Sequence, residues 1–193
     1  MLMLEQRIQQ QFFDCADLQY QTAETLARPI AEAVQAVVGT ITAGGKLIVA
    51  GQGPAEVLAR HAAAAFVGRF ERERPPLAAL ALTADAVLAG VASAAEAQAQ
   101  QLRVLGQTGD VLLLLGGHAA ESRGLVEAAH AQEITVLALV GRSGTEWREL
   151  LVETDVLIGV PHERAARILE LQLLVLHCLC DAVDLQLMGE QDS

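Results

Sequence analysis

Five short, nearly continuous apolar runs punctuate this chain: Lys46 to Ala50, Leu77 to Leu82, Asp110 to Leu115, Ile134 to Val140 and Asp155 to Val160. Runs of this kind are found in strands buried on both faces, because a strand with one wet face alternates polar and apolar residues. Helical spacing fills the intervals between them. Strands alternating with helices demand right-handed crossovers and a parallel sheet. The expected fold is therefore α/β, a doubly wound, five-stranded parallel sheet flanked by helices.

The flanking segments have their own pattern. From Leu4 to Ala43 apolar residues recur at helical spacing, first Phe12, Cys15 and Leu18, then Leu26, Ile30, Val34, Val37, Val38 and Ile41, with Pro29 near the start of the second set. Two helices are predicted, closed by Gly44-Gly45. The last element, Glu163 to Leu187, is apolar nearly all round in its second half, as at Leu171, Leu174, Val175, Leu179 and Val183. One sheet cannot cover every face of such a helix, so it is expected in an oligomer interface. With no repeat, low-complexity stretch or linker, residues 1–193 read as a single domain: an N-terminal helical pair over 1–43, and the core plus C-terminal helix over 44–193.

Charge narrows the partners. The formal net charge is −11, and the 13 Lys and Arg are scattered rather than gathered into a stripe. Direct nucleic-acid binding and attraction to an anionic membrane are not expected. The run Leu171 to Cys180 is far shorter than the ~20 residues that span a bilayer. The N-terminus lacks a basic segment followed by an apolar stretch and a small-residue cleavage site, and Cys15, Cys178 and Cys180 form an odd set, with the latter two diverging on a helix. A cytoplasmic location is expected, with no disulfide, metal or cofactor. The run Arg69 to Arg74 alternates sign and reads as a solvated or inter-subunit ion-pair network.

Ligands of an open parallel sheet bind beyond the C-terminal strand ends, where helix N-termini present free N–H groups. Two loops fall there. One follows the first strand, Gly51-Gln52-Gly53-Pro54-Ala55-Glu56, and the other follows the third, Gly116-Gly117-His118-Ala119-Ala120-Glu121-Ser122. Gly51, Gln52, Gly53, Gly116, Gly117 and His118 are the candidate ligand-binding residues. Gly-x-Gly after a strand equally makes a tight turn, and neither loop carries the Gly-Lys-Ser/Thr of a nucleotide P-loop. Arg164 and Arg167 are candidates to face the pocket, while His130 and His162 read as surface or turn residues.

Certain tokens together resemble a known family: Ala43-Gly44-Gly45-Lys46, the Gly51-x-Gly53 loop, His61 followed by Arg69-Phe70-Glu71-Arg72-Glu73-Arg74-Pro75, Leu105-Gly106-x-x-Gly109-Asp110, and Ala166-Arg167-Ile168 with Cys178-Leu179-Cys180-Asp181. From end to end the chain resembles the sugar isomerase (SIS) proteins, namely the phosphoheptose isomerases and their non-enzymatic relatives, the DnaA initiator-associating proteins. The resemblance implies a SIS fold and a homotetramer. In the isomerase branch it implies sedoheptulose 7-phosphate as substrate, bound at subunit boundaries.

The resemblance also implies which residues should act, and many have changed. Gln52, Pro54 and Ala55 stand where the family has an Asn, a Gly and a Ser around the sugar phosphate. The second loop lacks the family's hydroxyls, and Ser93-Ala94 replaces an Asn-Asp pair. His61 and His177 match the family imidazoles, but the partnering Glu falls on Ala65 and a metal-site Gln on Leu169. Both histidines therefore read as vestigial, with no catalytic residue and no metal site assigned. The expected function is a non-catalytic tetrameric scaffold that binds a protein partner, DnaA in the closer relatives, with Leu187 and Met188 as candidate anchors. The alternative is a phosphoheptose isomerase or another sugar-phosphate isomerase or binding protein.

Overall fold

The computed structural model describes residues 1–83, 93–142 and 145–189. Its five strands are β1 (Leu47–Gly51), β2 (Ala79–Leu82), β3 (Val111–Leu115), β4 (Thr135–Val140) and β5 (Val156–Gly159). They form one parallel sheet in the order β2-β1-β3-β4-β5. The helices are α1 (Leu2–Thr42), α2 (Glu56–Val67), α3 (Ala94–Leu105), α4 (Ala119–His130), α5 (Thr145–Leu150) and α6 (Ala165–Met188).

Continuous apolar runs became central strands because both faces are covered. In β1, Leu47 and Val49 pack with α1, α2 and α6, while Ile48 and Ala50 pack with α3, α4 and α5. Val111, Leu113 and Leu115 of β3 share the first core, and Leu112 and Leu114 the second. Each fully buried Leu, Val or Ile contributes about 1.5–3 kcal/mol of transfer free energy.

Two buried carboxylates pin the N-terminal edge of the sheet. Asp110 accepts from the Lys46 N–H at 2.9 Å, Lys46 Nζ at 2.6 Å and the Gln107 N–H at 2.8 Å. Asp155 accepts from the Val136 and Val152 N–H groups at 2.7 and 2.9 Å, and lies 2.7 Å from His130 Nε2. His130 is thus a half-buried tie between α4 and the start of β5, not a free surface residue. His162 serves a turn, its Nδ1 accepting from the Arg164 N–H at 2.9 Å.

The expected N-terminal pair of helices is corrected to one 41-residue helix running through Pro29. A proline inside a helix removes one backbone bond and costs about 3 kcal/mol. Buried contacts on both sides of it, from Leu18, Thr22 and Leu26 before to Ala33, Val34 and Val37 after, offset that loss. The α1 helix packs along α6, and between them lies a groove of about 520 Å³ lined by Leu26, Ile30, Val34, Leu171, Leu174 and Val175, among others. Leu187 is half-buried against the core and Met188 is 37% exposed. No helix among the described residues is long and apolar enough to cross a membrane.

The run Arg69 to Arg74 does not behave as one solvated network. Arg69 pairs with Glu73 at the exposed surface, whereas the Arg74 side chain is 1% exposed. Its Nε donates to Asp184 Oδ1 at 2.6 Å, and its Nη atoms donate to the carbonyls of Ala65 and Phe66 at 2.8 and 2.9 Å. One guanidinium therefore closes the C-terminus of α2, where carbonyls lack intrahelical donors, and ties that helix to α6. Burial pushes the Asp184 carboxyl up, and the adjacent Arg74 cation opposes that.

Candidate functional site

The sheet order fixes where a ligand can sit. The chain leaves β1 toward β2 on one side and continues from β3 toward β4 and β5 on the other, so the switch point lies between the C-terminal ends of β1 and β3. The two glycine loops meet there. Gly51 must be glycine because a Cβ would collide with the Ala55 backbone, which folds back over it in the short 3₁₀ turn Gly53–Ala55. Gln98 of α3, 1% exposed, donates from Nε2 to the Gly51 carbonyl at 2.9 Å and braces this turn from below.

On the opposite side, Gly116 and Gly117 take φ of +73° and +80°, conformations that L side chains rarely adopt. They turn the chain into α4, whose first intrahelical bond runs from the Ser122 N–H to the His118 carbonyl. The amides of Ala119, Ala120 and Glu121 thus have no acceptor within the helix and point with its dipole toward the crevice. His118 stands at the N-cap without capping through its ring. Across the gap lies the Gln52 carboxamide, in contact with Gly117, where a Cβ would overlap Oε1. Ser122 Oγ is 3.3 Å from that oxygen and 2.9 Å from the His118 carbonyl, and Gln52 Nε2 is buried without a hydrogen-bond partner.

A second cluster spans α2 and α6. His61 and His177 face each other Nε2 to Nε2 at 3.0 Å, with ring centroids 5.2 Å apart and planes at 65°. Phe70 covers the His177 ring at 5.3 Å between centroids. A hydrogen bond between two imidazole nitrogens requires one N–H and one lone pair, so the pair combines a base and an acid around a single shared proton. On the same face of α2, one turn beyond His61, stands buried Ala65. Leu169 on α6 is likewise apolar.

The fit of a metal ion to these residues is poor. Two imidazole nitrogens in direct contact, with no further donor from Ala65 or Leu169, fall short of a tetrahedral set. Among the described residues no group of three or more His, Cys, Asp or Glu could hold an ion.

The candidate arginines take other partners. Arg164 Nη2 donates to Gln11 Oε1 at 3.1 Å, and Arg167 Nη1 donates to the Gln11 carbonyl at 3.0 Å and pairs with Glu170 at 2.9 Å. Both tie the start of α6 to α1 instead of facing the crevice. Ser93 caps α3, its Oγ accepting from the Glu96 N–H at 3.2 Å. Sequence reasoning passed over Ser122 and Gln98. For Ser122 the signal was present, a hydroxyl four residues after the α4 N-cap; for Gln98 nothing in the sequence distinguished it from other polar helix residues.

Fold and loops together define a doubly wound α/β protein with a crevice at the β1/β3 switch point and a histidine pair on the flanking helices. The sequence profile of the SIS domain family matches residues 11–141. A phosphoheptose isomerase of Methylibium petroleiphilum is 55% identical over 98% of both chains. Solved structures of phosphoheptose isomerases from Neisseria gonorrhoeae and Francisella tularensis superpose with TM-scores of 0.85 and 0.86, at 32% and 34% identity, covering 94% and 95% of this chain and 98% and 99% of theirs. The chain belongs to the SIS domain family, among the phosphoheptose isomerases and their relatives.

These comparisons correct the expected function. The non-catalytic, DnaA-associating scaffold is contradicted by curated relatives and structural neighbours that carry the name phosphoheptose isomerase. The scaffold reading rested on the absent carboxylate at Ala65 and on the phosphate donors lost from the two loops. The fold brings the two family-matching imidazoles, 116 positions apart, into hydrogen-bond contact.

Proposed function

We propose that this protein is a sugar-phosphate isomerase of the phosphoheptose isomerase kind, acting on a phosphorylated ketoheptose such as sedoheptulose 7-phosphate. The observation that carries the reading is the 3.0 Å contact between His61 and His177. Isomerisation of a ketose needs a base to take the proton from C1 and an acid to deliver one to the C2 carbonyl oxygen, giving an enediol. The hydroxyl proton on O1 then leaves as C2 receives a proton, so the net change is an internal transfer with no external oxidant or reductant. An imidazole with a lone pair beside one with an N–H supplies both roles. The phosphoryl group belongs at the start of α4, against the amides of Ala119, Ala120 and Glu121, with the His118 ring and Ser122 hydroxyl beside it.

A homotetramer in the cytoplasm completes the proposal. The apolar α1/α6 groove supports the first part, and three free cysteines support the second.

A direct assay with sedoheptulose 7-phosphate tests it. His61→Ala and His177→Ala should each lower turnover by at least ~10²-fold; turnover untouched by either would sink the assignment. A second reading, binding of a sugar phosphate without turnover, is favoured by Ala65 and Leu169, which set no carboxylate or amide beside the imidazoles. Measurable affinity in a protein that produces no aldose would select it.

A further inference from the structure

We infer that Gln52 is an internal latch on the phosphoryl cradle, a carboxamide that occupies the ligand's place and sets the affinity of the site by having to leave it. This rests on the proposal above that a sugar phosphate binds at the start of α4.

The geometry of the carboxamide carries the inference. Its oxygen rests against Gly117, at a position where even a methyl group on residue 117 would overlap it, and lies 3.3 Å from Ser122 Oγ. That oxygen is an acceptor placed at a helix N-terminus, beside a glycine turn with φ of +73° and +80° and next to a hydroxyl donor. Those are the surroundings that a phosphoryl oxygen takes in such a crevice. The amide thus stands in for the anion within the chain itself.

The latch is held on one side only. Ser122 has a single hydroxyl proton and a second acceptor, the His118 carbonyl, at the shorter distance of 2.9 Å. On the other side Gln52 Nε2 is buried with no acceptor. A buried donor left without a partner raises the free energy of the closed position. The Gln52 backbone, by contrast, is fixed: its N–H donates to the Leu115 carbonyl at 3.0 Å and its carbonyl accepts from the Ala55 N–H at 3.2 Å. Rotation about the side-chain bonds can therefore open the cradle with the loop unmoved.

A latch and a ligand donor make opposite predictions for truncation. If Nε2 served the phosphoryl group, shortening residue 52 would weaken binding. If the carboxamide competes with the phosphoryl group, shortening it strengthens binding. The experiment is calorimetric titration of the full-length protein and of Gln52→Ala with sedoheptulose 7-phosphate and, separately, with inorganic phosphate. Gln52→Asn is run alongside, since it keeps the amide and the loop but is one methylene too short to reach Ser122 from the same backbone. Both variants should bind both ligands about tenfold more tightly than the parent. Equal or weaker binding by the variants, with the parent binding measurably, overturns the latch and leaves the sugar-phosphate site standing. No binding of either ligand by any of the three proteins overturns both.

Discussion

His61 and His177, 116 residues apart in the chain, meet nitrogen to nitrogen at 3.0 Å because α2 and α6 cross where each presents its one histidine. On the proposed function the two hydrogen-bonded rings act as one unit, and groups that act as a unit respond to mutation together. The double variant His61→Ala with His177→Ala should turn over no more slowly than the worse single variant. Steady-state kcat/KM for the four proteins checks this, and losses that multiply would argue that the rings act separately.

Gly117 and Gln52 should be coupled in stability. Gly117→Ala adds a Cβ into the Gln52 oxygen and also places a side chain at φ +80°. The overlap is relieved when residue 52 is truncated, whereas the backbone cost of about 1–2 kcal/mol remains. Urea unfolding should show Gly117→Ala costing about 1 kcal/mol less in a Gln52→Ala background than alone.

Arg74 is a buried charged side chain whose loss should cost stability. Removing one partner of a buried ion pair leaves the other without compensation, at about 3–5 kcal/mol. Arg74→Ala is expected in that range by chemical denaturation, since Asp184, 2% exposed in the folded protein, would lose the guanidinium bonded to it. Arg69→Ala, five residues earlier, removes a surface pair and should change stability by less than about 1 kcal/mol.

Alkaline pH should expose the environment of Cys180. Burial chiefly, with Asp184 adding to it and Arg74 opposing, pushes this thiol from 9.0 to about 12. In the unfolded chain it ionises near 9 while the folded protein keeps its proton, so the unfolded state binds fewer protons and stability falls as pH rises from 9 toward 12. The slope from this one group is up to about 1.4 kcal/mol per pH unit. Cys180→Ala should have a lower midpoint at pH 8 and a shallower decline between pH 8 and pH 10.5 in thermal melts.

How much of this could be read from the sequence depends on the range of the interaction. The five strands were legible because burial on both faces writes itself as a local run, and all five observed strands overlap their predicted segments. The glycine loops were legible for a similar reason, since a turn at a strand end leaves a local mark. The single α1 helix was not: Pro29 is a local stop signal, and what overrides it is contact with distant α6 and β5. Arg164 and Arg167 looked free because their acceptor, Gln11, lies more than 150 positions away. Within the run from Arg69 to Arg74, identical residue types went to opposite environments, a difference that rests on where Asp184 arrives in space. The missing carboxylate beside His61 was visible in the sequence, whereas the 3.0 Å meeting of His61 with His177 rests on how α2 and α6 come together in space.

Asp110 and Asp155 gather their hydrogen bonds beneath the sheet, at the rim opposite the glycine turns. Architecture and chemistry are thereby assigned to opposite poles of the molecule. Substitutions at one pole can strip hydroxyls, trade Asn-like residues for longer amides or delete carboxylates, and the other pole goes on holding the strands in register. Lineages with this layout are free to retune or abandon their reaction without first having to survive a folding crisis.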